Sequence, residues 1–314
     1  MIELAAFTLH NITKASSRLR SFYLLSNSEK QGIKVFRNIS YKEACKCQVI
    51  HLQSVLNLRL LFWQIIWRLK KINIIYDIAD QPGSWKSKLG YLAAIFFSNT
   101  LTVNTQDRLI YWKKFFPFKK IIVLPDIIDK GKNVPDLLPR IYNDSSINFF
   151  WIGHHQNIPS IQKFFPLLDS FKSRLLICTD IVQVDNSAFD GHSIDLLQWE
   201  QDITFSNKKM NSFMLLRHNH NKNSLMKSNN KMVLAICSGF IPIVSRTPEY
   251  EVLAKELNLE FLLFDDFDEV FSIAKDAPSH NWNDILDRAQ SYIEKNFSRT
   301  AVLTTFIESC IKKT

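Results

Sequence analysis

The sequence predicts an α/β protein with two parallel sheets, each covered by helices. Three observations lead there. Twelve short apolar runs of strand character recur along the 314 residues, helical segments separate most of them, and a polar stretch near the middle divides the runs six and six.

In the first half the expected strands are Ile2 to Thr8, Ile33 to Ile39, Val49 to Leu52, Ile72 to Ile78, Thr100 to Thr105 and Lys120 to Leu124. Between them, Arg18 to Ser28, Ser54 to Leu69, Trp85 to Phe97 and Gln106 to Phe116 read as helices. The second set of strands is Ile147 to Ile152, Arg174 to Cys178, Ser193 to Leu197, Phe213 to Leu216, Ile241 to Val244 and Phe261 to Phe264. Its helices are Ile158 to Phe171, Glu249 to Leu257 and Glu269 to Lys275, followed by Asn281 to Asn296 and Arg299 to Lys312 with Ser298 as N-cap. Residues 129–146 carry two prolines, a glycine, two lysines and several Asn, Asp and Ser, which marks a linker. The expected organisation is therefore a first domain over 1–135, a second over 146–296, and a return helix over 297–314 that packs back across the junction. Two such sheets imply a central cleft with strand carboxyl ends facing it.

Composition limits the function classes. With 46% hydrophobic and 22% charged residues the chain is a folded protein. Its net charge of +9 suits phosphates, anionic lipid or nucleic acid. No helix-turn-helix, zinc finger or RNA-binding motif accompanies the charge, so nucleic acid is not an expected partner. Five cysteines, Cys45, Cys47, Cys178, Cys237 and Cys310, are odd in number and lack paired metal-ligand spacing, which fits a reducing cytoplasm. The opening Met1-Ile-Glu-Leu-Ala-Ala-Phe reads as a strand rather than a leader. Gln64, Arg68 and Lys70 break the longest apolar candidate well short of the ~20 residues that span a bilayer.

The segment Lys227 to Glu251 carries the most chemistry. Ser228 is the expected N-cap, Asn229 to Ser238 a helix, Gly239 its left-handed C′ residue, and Ile241 to Val244 a buried strand. A helix start presents unpaired N–H groups and the positive end of the dipole, and Lys227 and Lys231, four residues apart, add two ammonium groups to that turn. A diphosphate fits the arrangement, and an ordinary capped helix with solvated lysines is the alternative.

Further candidates surround it. Gly153-His154-His155-Gln156-Asn157 follows the first strand of the second half, where a ligand phosphate sits in such sheets. Gly153 allows close backbone approach, and His154 and Asn157 can donate to phosphate or sugar. Arg217 ends another strand and precedes a polar loop containing His218, His220 and Lys222. Arg217 or Lys222 can offset diphosphate charge, whereas two histidines without a carboxylate make a poor metal site, and no metal is expected. Tyr250 and Glu251 stand at a second helix start behind Pro248, within reach of a ribose or base. In the first half, Ser16, Arg18 and Arg20 occupy the loop and helix start after the first strand, where they can meet phosphate or acceptor. Asp77 or Asp80, at the end of the fourth strand, is the candidate base for an acceptor hydroxyl; the alternative for either is a helix cap or an ion pair with an arginine.

The segments Ala15-Ser-Ser-Arg-Leu-Arg-Ser-Phe-Tyr, Ile75-Tyr-Asp-Ile-Ala-Asp, Val123-Leu-Pro-Asp-Ile-Ile-Asp, Phe150-Trp-Ile-Gly-His-His-Gln-Asn and Lys227 to Glu251 together resemble, in order and spacing, the GT-B glycosyltransferases of bacterial capsule, O-antigen and related surface-polysaccharide assembly. The resemblance implies two Rossmann-like domains, a nucleotide-sugar donor in the second and a glycan or lipid-linked acceptor in the first. It also implies metal-independent transfer without a further cofactor. Many retaining members carry a Glu, seven residues and a second Glu before a Gly-x-Pro strand; here Met226 and Leu234 stand at those positions. Donor-sugar and ribose roles of that pair are therefore not carried over. A catalytically silent glycan- or nucleotide-binding subunit, a nucleotide-sugar epimerase and a polyol-phosphate transferase are the competing readings.

Arg59 to Lys71 and Tyr111 to Lys120 mix bulky aromatics with Lys and Arg, which suits weak contact with the inner membrane leaflet and a location at its cytoplasmic face. Phe62, Ile65, Ile66 and Leu69 nevertheless have the spacing of a helix packed on a sheet, so core packing is the expectation for that stretch.

Overall fold

A computed structural model describes residues 1–10, 15–79, 85–128, 147–200, 212–218 and 225–312. The expected linker, residues 129–146, lies outside the described residues. The chain divides into two compact units, Met1–Ile128 with Lys295–Thr314, and Asp129–Glu294.

The first unit holds a six-stranded sheet of β1 (Ile2–Thr8), β2 (Ile33–Phe36), β3 (Val49–Gln53), β4 (Asn73–Ile78), β5 (Thr100–Val103) and β6 (Lys120–Val123), in the order β2-β1-β3-β4-β5-β6. Every neighbouring pair is parallel, with Leu4 opposite Val49 and Gln53 opposite Asp77. After β1, the turn α1 (Ala15–Ser17) runs into a π-turn, Arg18–Phe22. Helices α2 (Leu58–Leu69), α3 (Trp85–Phe97) and α4 (Gln106–Lys113) join β3 to β6 by successive crossovers in one direction, which puts all three on one face. One core cluster fills that face, with Leu60 and Trp67 from α2, Tyr91 and Ala94 from α3, and Trp112 from α4. Asn57 caps α2 and Thr105 caps α4 through their side-chain oxygens.

One expectation about α2 is overturned. Its buried residues are Leu60, Gln64 and Trp67, while Phe62, Ile65 and Leu69 are exposed at 60%, 41% and 78%. This helix is apolar on both faces, so period alone did not pick the inner one. Trp67 fills the core with its indole, and the Gln64 amide donates to Ala94 O at 3.2 Å.

The second unit repeats the architecture with β7 (Asn148–Ile152), β8 (Arg174–Thr179), β9 (Ile194–Gln198), β10 (Ser212–Leu216), β11 (Ile241–Ser245) and β12 (Leu263–Phe264), in the order β12-β11-β10-β7-β8-β9 and parallel throughout. The expected helix from Ile158 to Phe171 is mostly 3₁₀ turn, and only α5 (Phe165–Ser170) is α-helical, because Pro159 and Pro166 interrupt the hydrogen-bond ladder. Then come α6 (Asn230–Cys237), α7 (Pro248–Leu257), α8 (Phe267–Asp276), α9 (Trp282–Phe297) and α10 (Arg299–Phe306). Helix α6 ends in a Schellman motif: Gly239, at φ 73°, donates to Ile236 O, and Phe240 donates to Ala235 O.

From Lys295 onward the chain belongs to the first unit. Val302, Leu303 and Phe306 of α10 pack with Leu19 and Leu24 on the sheet face opposite α2, α3 and α4. Asn73 Nδ2 donates to Cys310 O at 2.8 Å, and the Arg299 guanidinium donates to Ser26 O, so polar bonds as well as apolar contacts hold the return. Among the described residues no helix is long and apolar enough to cross a membrane.

Candidate functional site

In the second sheet the chain starts at β7, adds β8 and β9 on one side, and returns to lay β10 on the other. Loops leaving the adjacent strands β7 and β10 therefore diverge, and open α/β sheets bind ligands at such a switch point, at the strand carboxyl ends. Helix α6 begins there. Met232, Val233, Ala235 and Ile236 bury one side of it, which leaves Lys231 at its first turn reaching toward β7. The Lys231 ammonium donates to Ile152 O at 2.8 Å and lies 5.6 Å from the Trp151 ring centre. Asn229, rather than the expected Ser228, is the N-cap, and its side chain makes no capping hydrogen bond. Ser228 is buried one residue earlier, and Lys227 is exposed.

Electrostatics mark this turn as strongly cationic. Burial pushes the Lys231 pKa down to about 8, and the Lys227 charge adds to the effect. His218, just past β10, is pushed down to about 3 by burial and then by Lys231, Lys227 and Arg217, so it is neutral. Its backbone N–H donates to Ser245 Oγ at 3.0 Å, and its Nε2 lies 3.0 Å from the Tyr250 hydroxyl, with the two rings stacked at 5.4 Å. Burial pushes the Tyr250 pKa up, so this is a contact of two neutral groups. Arg217 donates to Asp265 O at 2.9 Å and lies over the rings of Phe264 and Phe267. Burial lowers its pKa while Asp266 and Asp265 work against that.

The remaining second-unit candidates are placed as follows. His154 is exposed, accepts from Gln156 N at 3.4 Å through Nδ1, and its ring lies 4.1 Å from that of His155. Asn157 is exposed, and its backbone N–H donates to His154 O at 2.8 Å. A Cβ on Gly153 would stand 2.4 Å from the Trp151 ring, so the close approach that requires glycine is made by this chain's own indole. Tyr250 is fully buried against His218, whereas Glu251 is exposed and 3.9 Å from Arg246. Lys222 lies outside the described residues.

Ser245 and Thr247 are additions to the expected set, and His218, weighed in the sequence only as a metal ligand, stands here as a neutral hydrogen-bonding group. Thr247 Oγ1, Thr179 Oγ1 and His155 Nδ1 are buried polar atoms without a hydrogen-bond partner among the described residues, each at or just beyond the carboxyl end of a strand of this sheet. A polar residue closing an apolar strand was the available signal: Ser245 ends Ile241–Ser245 and Thr179 ends Arg174–Thr179.

In the first unit the structure pairs two expected site residues with each other. Arg20 Nε donates to Asp77 Oδ2 at 2.8 Å, and its NH1 donates to Leu124 O at 2.6 Å and to Asp126 Oδ1 at 3.1 Å. Arg20 and Asp77 are each 1% exposed, and the Thr102 hydroxyl also donates to Asp77. Burial works against the Arg20 charge, but Asp77 and then Asp126 more than offset it and raise the pKa. This is the ion pair with an arginine that stood as the alternative reading of Asp77. Of the neighbouring candidates, Ser16 is half-buried and Arg18 is buried, while the Ser17 hydroxyl donates to Gln53 Oε1 at 2.8 Å. Asp80 lies outside the described residues. No group of three His, Cys, Asp or Glu able to hold a metal comes together among the described residues.

No protein-family model and no curated protein matches the sequence. Solved structures do share its fold. Acinetobacter baumannii MurG superposes with a TM-score of 0.53 at 10% identity, covering 96% of this chain and 98% of that one. A UDP-N-acetylglucosamine 2-epimerase gives 0.51 at 10% identity, with 98% and 95% covered. The glycosylation-associated Gap123 complex of Streptococcus agalactiae gives 0.50 at 11% identity over 85% of this chain, which spans only 54% of that one. At such identities the likeness shows the fold, two Rossmann-like α/β domains of GT-B type.

Proposed function

We propose that the chain is a glycosyltransferase that moves a sugar from a nucleotide-diphosphate donor to a glycan or lipid-linked acceptor in surface-polysaccharide assembly at the cytoplasmic face of the membrane. The observation that carries the reading is the Lys231 ammonium, held on Ile152 O at the switch point, with Lys227 and Arg217 close enough to depress the same histidine. A donor diphosphate gains there what it loses in leaving water: charge-assisted hydrogen bonds and a helix start. In transfer, the acceptor oxygen bonds to the anomeric carbon as that carbon's bond to the diphosphate breaks. The departing oxygen takes the electron pair, and Lys231, Lys227 and Arg217 stabilise the growing charge without a metal. The acceptor proton passes to a base, for which Asp80 remains the first-unit candidate because Asp77 is committed to Arg20. His154, Asn157, Lys222, Ser228 and Asn229 are assigned to phosphate and sugar, with Glu251 toward the ribose.

A second reading, a silent nucleotide-binding subunit, is favoured by one feature: Met226 and Leu234 where many retaining enzymes of this type carry glutamates. Thermal-shift measurements with UDP, GDP, CMP, dTDP and their sugars test the shared premise, because a ligand of the folded state raises the melting temperature. Product analysis with the stabilising donor, radiolabelled in the sugar, then separates the readings. Label transferred to a glycan or lipid fraction supports the transferase, whereas nucleotide binding without turnover favours the silent subunit. No shift with any nucleotide sinks both.

A further inference from the structure

The layer formed by α2, α3 and α4 on the first unit has an outer surface unlike the rest of the molecule. Ten of the sixteen exposed large apolar side chains among the described residues belong to it or to the loop that follows α4. On α2, Leu58, Phe62, Ile65 and Leu69 recur at i, i+4, i+7 and i+11, a stripe of roughly 16 Å along one helix face. Trp85 and Phe96 continue it on α3, and Phe118, fully exposed, stands in the loop before β6. The three helices form one layer, tied by the Gln64 bond to Ala94 O and by the Tyr91 and Trp112 rings at 6.4 Å.

Charge is concentrated on the same segments. Residues 58–71, 85–99 and 106–120 contain eleven Lys and Arg, Arg108 among them buried, against one acid, Asp107, a net charge that exceeds the +9 of the whole chain. A groove of about 660 Å³ opens among them, lined by Arg68, Phe96, Phe115, Phe118, Lys119 and Lys120. It lies at the amino-terminal edge of the strands, since Ser98 and Asn99 precede β5 and Lys120 begins β6. It is therefore a feature separate from the strand carboxyl ends. The loop is built rather than loose: Lys113 donates to Pro117 O and Lys119 O, and Lys119 donates to Phe96 O and Ser98 O.

We propose that this face docks on an anionic phospholipid bilayer, with the α2 stripe, Trp85, Phe96 and Phe118 entering the interfacial zone and the lysines and arginines meeting lipid phosphates. Apolar and cationic groups interleaved on one surface match a bilayer, which offers hydrocarbon and negative charge at the same depth. A second copy of the chain would bring like charge against like charge. A nucleic acid would satisfy the lysines and leave Leu58, Ile65 and Leu69 in water. The inference does not depend on what the second unit binds.

The test is flotation of the full-length chain with phosphatidylcholine vesicles, alone or with one third phosphatidylglycerol, at low and high salt. Binding to the anionic vesicles that weakens with salt is expected. The triple variant Phe62→Ser, Leu69→Ser, Phe118→Ser, whose sites are all exposed, should fold as wild type by circular dichroism and lose about tenfold or more in partitioning. Lys70→Glu with Lys114→Glu should remove the preference for anionic lipid. Three results would each overturn the proposal: no binding to anionic vesicles, unchanged binding of a folded triple variant, or association with a single-stranded oligonucleotide in place of vesicles. If the triple variant does not fold, Phe118→Ser alone, in a loop tip, gives the same reading at smaller amplitude.

Discussion

Lys231→Met separates a binding lysine from a structural one. The methionine keeps an unbranched apolar stem beside Trp151 and removes the ammonium that donates to Ile152 O. A lysine ordinarily titrating at 10.5 but pushed down to about 8 carries its charge at a cost of about 3 kcal/mol in the free fold. Its depressed pKa means that the unfolded chain binds more protons between pH 8 and 10.5, so this group makes the protein more stable as pH rises through that window. The variant should match or exceed wild-type stability at pH 7, within about 3 kcal/mol, and should lack the alkaline rise. Affinity for the nucleotide diphosphate should move the other way. Loss of one charge-assisted hydrogen bond, about 1.5–3 kcal/mol, weakens binding roughly 10- to 150-fold. In the wild type, affinity should fall by up to about tenfold per pH unit above 8, because a bound anion restores the proton that the free site sheds. Urea titrations and isothermal calorimetry across pH read both quantities. A variant that loses more than about 2 kcal/mol of stability and keeps wild-type affinity would show that Lys231 holds the fold and not a ligand.

Asp77→Asn breaks a buried pair and leaves Arg20 with Asp126 as its counter-charge among the described residues, and should cost about 3–5 kcal/mol in urea unfolding while nucleotide affinity is retained; a fully stable Asp77→Asn protein without transfer activity would return the carboxylate to the catalytic role. Gly153→Ala places a methyl 2.4 Å from the Trp151 ring, so unfolding should come about 1–3 kcal/mol earlier with an altered near-ultraviolet circular dichroism spectrum, and an unchanged melt would contradict that packing. His51 and His218 are pushed down to about 4 and about 3, so the unfolded chain takes up their protons first and stability falls as pH drops from about 6.5 toward those values. His51→Leu should make that fall shallower by about one proton, measured as the pH slope of unfolding free energy.

The strands were legible because parallel strands buried on both faces are written as continuous apolar runs, and all twelve lie where such runs occur. Four of them, β3, β8, β9 and β11, end one residue beyond the expected run, whereas Ile33 to Ile39 and Thr100 to Thr105 overrun strands that end at Phe36 and Val103. The residue that closes each of several strands is polar, as Gln53, Thr179 and Ser245 show, and Gln53 and Ser245 lie beside Asp77 and His218. Helix faces were harder, since α2 is apolar all round and only the position of Trp67 in the core decides which side is inside. The meaning of a charge was hardest. Arg20 and Lys231 look alike in sequence, each a basic residue at a helix start near a strand end. Asp77 and Asp126, the carboxylates that satisfy Arg20, lie 57 and 106 positions away, a distance that no local pattern spans. Lys231 instead meets a carbonyl and an indole, which orient its ammonium without neutralising it, and the Lys227 charge adds to the effect of burial on it. An arginine matched by buried carboxylates has little field left to offer a ligand, whereas a lysine that among the described residues is held by neutral groups keeps its positive potential for an anion. What distinguishes the two is the counter-charge, which folding assigns and spacing does not.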